Sequence, residues 1–264
     1  MAAEALEKRL RLREKRYEVE QLMKEKRSEE FEALEEVFDK PTLMLVYRML
    51  NQGHLSHLHG CIKAGKESRI YWGKDSKGKD VAVKIYLKWN VEFRKGRLIY
   101  LEGDPRFQRS WKDTRSLVYL WAQKEFKNLQ AAFSAGASVP RPILVRGNIL
   151  VMQFIGEKGT PAPLLKDLQP ERPTMLYRAL LSNIRLLYTK AGLVHGDLSE
   201  YNVMVWRKKP VIFDMSQGVS LEHPLSDLLL SRDLDNLNNY FRRCGVNVKQ
   251  IDQLHAWVTG KDAN

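Results

Sequence analysis

Apolar residues recur along this chain with two periods, and the switch between them sets the expected order of elements. Leu117, Trp121, Glu125 and Leu129 recur every four residues, which predicts a helix from Leu117 that ends at Gly136. Leu176, Leu180, Ile184 and Leu187 predict a second helix over 174–191. Leu43, Val46, Met49 and Leu50 share one face of another within 42–59, closed by Gly53. A fourth helix is expected from about Ser226 to Arg243, stopped by Gly245, and a last near Val248–Val258. Between the helices the period shortens. Residues 60–72 read as two apolar ends around a bend at Gly65, followed by a turn at Ser76-Lys77-Gly78. Val81-Ala82-Val83-Lys84-Ile85-Tyr86 then alternates as a strand. Residues 143–145 and 149–156 form a hairpin about the turn Arg146-Gly147-Asn148.

Two stretches break the periodicity. Residues 1–38 contain no Gly or Pro and carry Glu4/Lys8, Glu7/Arg11 and Glu20/Lys24, acid first and four apart. Each pair is worth only roughly 0.2–0.5 kcal/mol, so a solvated helical extension is expected, with a docking arm as the sharper reading. Residues 87–116 mix charges with Gly96, Gly103 and Pro105, and read as a long mobile loop carrying hydroxyls at Ser110, Thr114 and Ser116. The expected architecture is α+β and two-lobed. A helical extension over 1–59 precedes a small β-rich lobe over 60–155. Beyond Pro161-Ala162-Pro163, a mostly helical lobe fills 156–264.

Composition narrows the class. A chain of 264 residues can build two lobes with real cores. No apolar run approaches the ~20 residues of a membrane span, and the charged N-terminus lacks the apolar core of a signal peptide. Isolated Cys61 and Cys244 suit reduced thiols in a cytoplasmic compartment. His54, His57 and His59 lie close together without a Cys or carboxylate at ligand spacing, and a polar turn is expected there. The net charge of +12 suits a polyanionic partner, nucleic acid included, and equally a nucleotide site.

The chemistry concentrates in His195-Gly196-Asp197-Leu198-Ser199-Glu200-Tyr201-Asn202 and in Phe213-Asp214. The spacing resembles the H-R-D-x-x-x-x-N loop of protein kinases, with Gly196 in place of Arg. ATP brings about four negative charges with its magnesium, so hard oxygen ligands are needed, and Asn202 and Asp214 can supply them. Asp197 stands where a carboxylate could position or deprotonate an attacking hydroxyl. Lys84, in Ala-Val-Lys, is placed like the phosphate-contacting lysine of V-A-I-K. Glu125 lies on an apolar helical stripe, where a carboxylate is costly unless paired, and Lys84 is its natural partner. Gly65 lets backbone N–H groups approach phosphates, with Lys66 and Ser68 as further donors. In a kinase reading, the backbone of Gln153 and Ile155 meets the adenine edge, with Met152 behind it.

These segments together resemble the RIO family of atypical kinases, nearest its type-1 subfamily, in an archaeal-type version. The likeness runs from about Gly60 to Gly245 and includes Gly103-Asp104-Pro105-Arg106-Phe107, Trp121-Ala122-Gln123-Lys124-Glu125-Phe126 and Phe213-Asp214-Met215-Ser216-Gln217. The resemblance implies ATP with Mg²⁺ or Mn²⁺, serine autophosphorylation and work on the pre-small-ribosomal-subunit particle. It also implies that Asp214 can itself accept phosphate, with ATPase activity as the result. The fifty residues after Asp214 are too few for an activation loop plus a peptide-seating platform, and no Ala-Pro-Glu motif occurs. Two other readings share the motifs: a small-molecule phosphotransferase of the aminoglycoside or choline type, and a nucleotide-switched module bound to pre-ribosomal RNA.

Overall fold

The computed structural model describes residues 37–87, 96–107 and 113–261. The expected helix over residues 1–38 lies almost wholly outside them. The chain divides into two compact units, Met1–Gly60 with Gly73–Lys79, and Cys61–Trp72 with Asp80–Asn264. In the first, helix α1 (Lys40–Asn51) starts where Asp39 accepts the backbone N–H of Thr42, and it buries Leu43, Val46, Tyr47, Met49 and Leu50. It is shorter than the expected 42–59.

Strand β1 (His57–Ala64) begins three residues before Gly60. His57 and His59 therefore sit on a strand rather than in a turn, two apart and on one face, with rings stacked at 6.0 Å. No group of three or more His, Cys, Asp or Glu side chains placed to hold a metal occurs among the described residues.

With β2 (Ser68–Lys74), β3 (Asp80–Tyr86), β4 (Pro142–Arg146) and β5 (Ile149–Gln153), β1 forms a five-stranded sheet in the order β1-β2-β3-β5-β4. The β3–β5 and β4–β5 pairs are antiparallel. Central β3 is buried at every position from Val81 to Tyr86, as a middle strand with one face under a helix demands.

That helix is α2 (Thr114–Ser134), three residues longer at its start than the periodicity indicates. Asp113 accepts the N–H of Ser116 at 2.7 Å, and the Ser116 hydroxyl reaches back to the Asp113 backbone, a reciprocal cap. Ser116 is thus a capping residue, whereas Ser110 lies outside the described residues. The described part of the expected loop over 87–116 is also more structured than its composition suggests. Leu101 and Phe107 are buried in one cluster with Tyr86, Leu117, Val118 and Trp121. His223 anchors the segment by donating Nε2–H to the Ile99 carbonyl at 3.0 Å; its Nδ1 accepts from Leu225 N, which fixes the tautomer.

After two short hairpin strands, β6 (Gly156–Glu157) and β7 (Thr160–Pro161), the chain enters a helical lobe. Helix α3 (Pro173–Thr189), α4 (Ser226–Arg243) and α5 (Ile251–Thr259) pack around a core that includes Leu180, Leu187, Leu234, Leu237, Phe241 and Leu254. Two two-stranded pieces carry the chemistry: β8 (Leu193–Val194) pairs with β11 (Val219–Ser220), and β9 (Val203–Trp206) with β10 (Lys209–Ile212). No helix among the described residues is long and apolar enough to cross a membrane.

Trp121 is fully buried beneath β3 and closes the smaller cluster. Trp121→Ala is expected to destabilise the chain by roughly 3–5 kcal/mol, read as a lower denaturant midpoint at unchanged slope.

Candidate active site

The His195–Asn202 loop leaves β8 and is held from below by α4. The Asp233 carboxylate accepts the N–H of Gly196 at 2.8 Å and of Leu198 at 2.7 Å, so two buried donors converge on one side chain. Burial pushes Asp233 up to about 6, against the pull of His195 and those two N–H groups. From the same helix, Arg232 donates to the Gly196 carbonyl and Asn236 to that of Leu198 at 3.1 Å. Gly196 has φ +78°, and a Cβ there would stand 3.1 Å from the Gln217 carbonyl oxygen. The backbone therefore requires glycine where protein kinases carry Arg. His195 is buried, accepts from Asp197 N at Nδ1 and donates Nε2–H to the Phe213 carbonyl at 3.1 Å.

These bonds aim the reactive groups. Asn202 donates its amide to the Asp197 carbonyl at 2.7 Å, which leaves its Oδ1 as the side-chain oxygen for a metal. Phe213 N donates to Asn202 O at 3.0 Å, so the β9–β10 hairpin brings Asn202 beside Asp214. Asp214 has left-handed backbone (φ 61°, ψ 60°), a costly conformation for a residue with a Cβ and one that clusters at functional sites. Its Oδ1 accepts from Lys84 Nζ at 2.8 Å and from the Ser216 hydroxyl at 2.8 Å. Lys84 also meets both oxygens of Glu125, Oε1 at 3.0 Å and Oε2 at 2.9 Å, and Tyr86 donates its hydroxyl to that same Oε2.

The electrostatics follow. Burial alone would lower the pKa of Lys84, but the carboxylates of Asp214 and Glu125 outweigh it and hold the ammonium charged above its ordinary range. Burial raises Asp214, yet Lys84, the Ser216 hydroxyl and His195 bring it well below the usual carboxylate range. Asp197 moves the other way. Burial raises it and Asp214 adds to that, with His195 only partly offsetting, so two nearby acids are pushed apart in strength.

A cleft lined by Gly65, Lys66, Ser68, Lys84, Asp197 and Asp214 lies over these groups. At its lid, Gly65 N donates to Ser68 O at 3.0 Å, and a Cβ on Gly65 would come within 3.1 Å of that oxygen. Beside it is an apolar cavity lined by Ile70, Ala82, Met152, Phe154, Met204 and Phe213, with Gln153 and Ile155 at its edge. The candidates for nucleotide binding and catalysis, Lys66, Ser68, Lys84, Glu125, Met152, Gln153, Ile155, Asp197 and Asp214, thus border one of two neighbouring hollows, and Asn202 touches Asp197. Paired hard oxygens on Asn202 and Asp214 beside a charged lysine fit a magnesium–triphosphate. Sequence reasoning missed Tyr86, Lys124, Asn128, Gln217 and Asp233. Gln217 and Lys124 left a signal, their places in Asp-Met-Ser-Gln and in Trp-Ala-Gln-Lys-Glu-Phe; the others look like ordinary helix or strand positions.

Fold and site together define a protein-kinase-like phosphotransferase. A profile of the RIO domain matches residues 69–254. RIO-type serine/threonine-protein kinase Rio1 of Haloferax volcanii is 39% identical over 240 residues, spanning 91% of this chain and 82% of that protein. Its counterpart of the same name in Methanocaldococcus jannaschii is 40% identical over 251 residues, spanning 94% and 85%. The chain belongs to the RIO family of serine/threonine protein kinases. Among solved structures, the Rio2 kinase of Chaetomium thermophilum superposes with a TM-score of 0.61 at 26% identity, covering 83% of this chain and 67% of that one. The same enzyme as an ADP/Mg²⁺-phosphoaspartate complex gives 0.65 at 24% identity, covering 86% and 68%, a likeness of fold.

Lys84→Met leaves Glu125 buried without its cation. A loss of roughly 3–5 kcal/mol is expected by chemical denaturation, and the double variant Lys84→Met/Glu125→Leu should regain most of it.

Proposed function

We propose that this chain is an ATP- and Mg²⁺-dependent kinase and ATPase, that Asp214 is the residue on which ATP turnover passes, and that it acts on the maturing small ribosomal subunit in the cytoplasm. The observation that carries the site assignment is the Lys84 ammonium held between Glu125 and Asp214, with Asp197 and Asn202 on the adjoining loop.

Lys84 grips α- and β-phosphate oxygens, while Lys66 and Ser68 reach the phosphates from the lid. Gln153 N already donates to Arg141 O, and Ile155 O accepts from Ala162 N. An adenine edge is therefore met by the opposite groups, the Gln153 carbonyl and the Ile155 N–H, with Met152 behind the ring. A magnesium ion held by Asn202 and Asp214 supplies charge neutralisation at the transferring phosphate. Asp197 accepts the proton of an attacking serine hydroxyl, or aligns it, and catalysis is mainly positioning and charge stabilisation. In the ATPase branch a carboxylate oxygen of Asp214 attacks the γ-phosphorus, the bond to the β-bridging oxygen breaks and ADP leaves; water then hydrolyses the acyl phosphate. An Asp214 held ionised by Lys84 and Ser216 suits that role. The ribosomal assignment is supported by family membership and by the net charge of +12, which favours contact with RNA phosphates.

The assay is labelled γ-phosphate transfer and multiple-turnover ATP hydrolysis, with and without small-subunit particles. Asp197→Ala should lose serine phosphorylation while still binding ATP. Hydroxylamine-labile label should form on the native protein and vanish in Asp214→Asn; a hydroxylamine-stable label alone would rule out the aspartyl route.

The pH dependence has a definite sign. Asp197 works as a carboxylate, and burial raises its pKa above the ordinary 3.8. The transfer rate is therefore expected to fall on acidification, with a midpoint above that value, in a kcat–pH profile.

A further inference from the structure

Helix α2 carries a second buried cation beside Glu125 that the reaction does not use. Lys124 is fully buried, and its ammonium donates to two backbone carbonyls, Ser216 O at 3.1 Å and Gly218 O. One helical turn on, the Asn128 amide donates to Met215 O and Gly218 O, both at 2.8 Å. Asn128 is itself fixed by Arg106, which donates to its Oδ1 at 2.9 Å while clasping the buried Asp104 carboxylate. A Cβ on Gly218 would stand 2.9 Å from Asn128 Nδ2, so glycine is what lets the turn approach the helix this closely.

The clamped turn bears two side chains that point at the reactive acids. Ser216 donates to Asp214 Oδ1 at 2.8 Å, and Gln217 donates Nε2–H to Asp197 Oδ2 at 2.8 Å. Two ordered bonds thus connect α2 to each acid, first from helix to turn and then from turn to carboxylate. Lys124 is adjacent in sequence to Glu125, which holds Lys84. A single helix therefore orients the phosphate-gripping lysine and both acids at once.

We propose that Lys124 is a positioning residue for phosphoryl transfer, which acts through the Ser216–Gly218 turn, and through Gln217 in particular, to set the orientation of Asp197. This rests on the reading of Asp197 given above. Burial pushes the Lys124 ammonium down to about 7, opposed by Asp104 and Glu125 and reinforced by Arg106, and the neutral amine still has an N–H for each of the two carbonyls. Lys124 lines neither hollow, and Gln217 borders the cleft over the acids but not the apolar cavity assigned to adenine, so adenine binding is expected to survive their loss.

The test is a double-mutant cycle between Lys124→Met, which keeps the volume under Trp121, and Gln217→Ala. Turnover is measured per nucleotide-binding site, counted by calorimetric titration with ADP and Mg²⁺, so that misfolded protein is discounted. Each single variant should lower kcat by about ten- to a hundredfold with KM for ATP within about twofold, since small displacements of a reacting group carry losses of this order. The double variant should be no slower than the worse single one, because both act along one line of contacts. A wild-type kcat per site in Lys124→Met, or effects that multiply in the double variant, would overturn the proposal. If Lys124→Met does not fold, Asn128→Ala, which releases the companion anchor, decides on the same terms against Gln217→Ala. Wild-type protein without any ATP-dependent transfer would instead sink the site assignment, and this role with it.

Discussion

The Lys84 ammonium, almost removed from water, is the constraint the rest of this structure answers to. A buried cation is tolerated only with close counter-charges, and here they come from two distant places in the chain, Glu125 on α2 and Asp214 after β10. Satisfying one lysine therefore fixes three elements together. β3 must lie under α2 so that Glu125 can reach it, and the β9–β10 hairpin must deliver Asp214 to the same point. Tyr86, two residues along β3, closes the arrangement by donating to Glu125 from the same face of the strand. The result is a site whose cation and acids are preset, in the geometry that charge stabilisation of a transferring phosphate demands.

The acids are held by backbone as much as by side chains. One carboxylate, Asp233, gathers two N–H groups of the His195–Asn202 loop, and Gly196 takes the positive φ that this loop needs. Asp214 accepts a left-handed backbone, and the turn after it is stitched to α2 through its carbonyls. In protein kinases a long activation segment follows the corresponding aspartate. Here the chain goes directly from Asp214 through one short turn into β11 and α4, so the region next to Asp214 is short and braced. Arg106 and the buried Asp104 brace it from the far side, which gives the Gly103–Phe107 stretch a structural purpose its composition hides.

Much of the site was legible in the sequence because its chemistry demands particular residue types at short spacing. Asp197 and Asn202 belong to one tight loop, so the five-residue interval is itself the geometry. Glu125 was legible for another reason: a carboxylate on an apolar helical stripe announces a buried partner. Helix and strand existence followed from periodicity at α2, α3, α4, β3 and β5. The starts of α2 and β1 did not, since they depend on Asp113 capping and on strand pairing at His57. The 96–107 segment reads as loop because a lone Leu101 or Phe107 has no period, and its burial is decided by what packs against it.

The sequence by itself determined the family, the fold class and the choice of groups proposed to meet phosphate, because local spacing and the cost of a buried charge act along the chain. Tertiary structure alone decided how those groups are held: Asp233 under the loop, Tyr86 on Glu125, Gln217 on Asp197, Lys124 and Asn128 on the turn after Asp214. Each of these is a hydrogen bond between segments far apart in sequence. A donor or acceptor carries no mark of its partner until folding brings the two within about 3 Å.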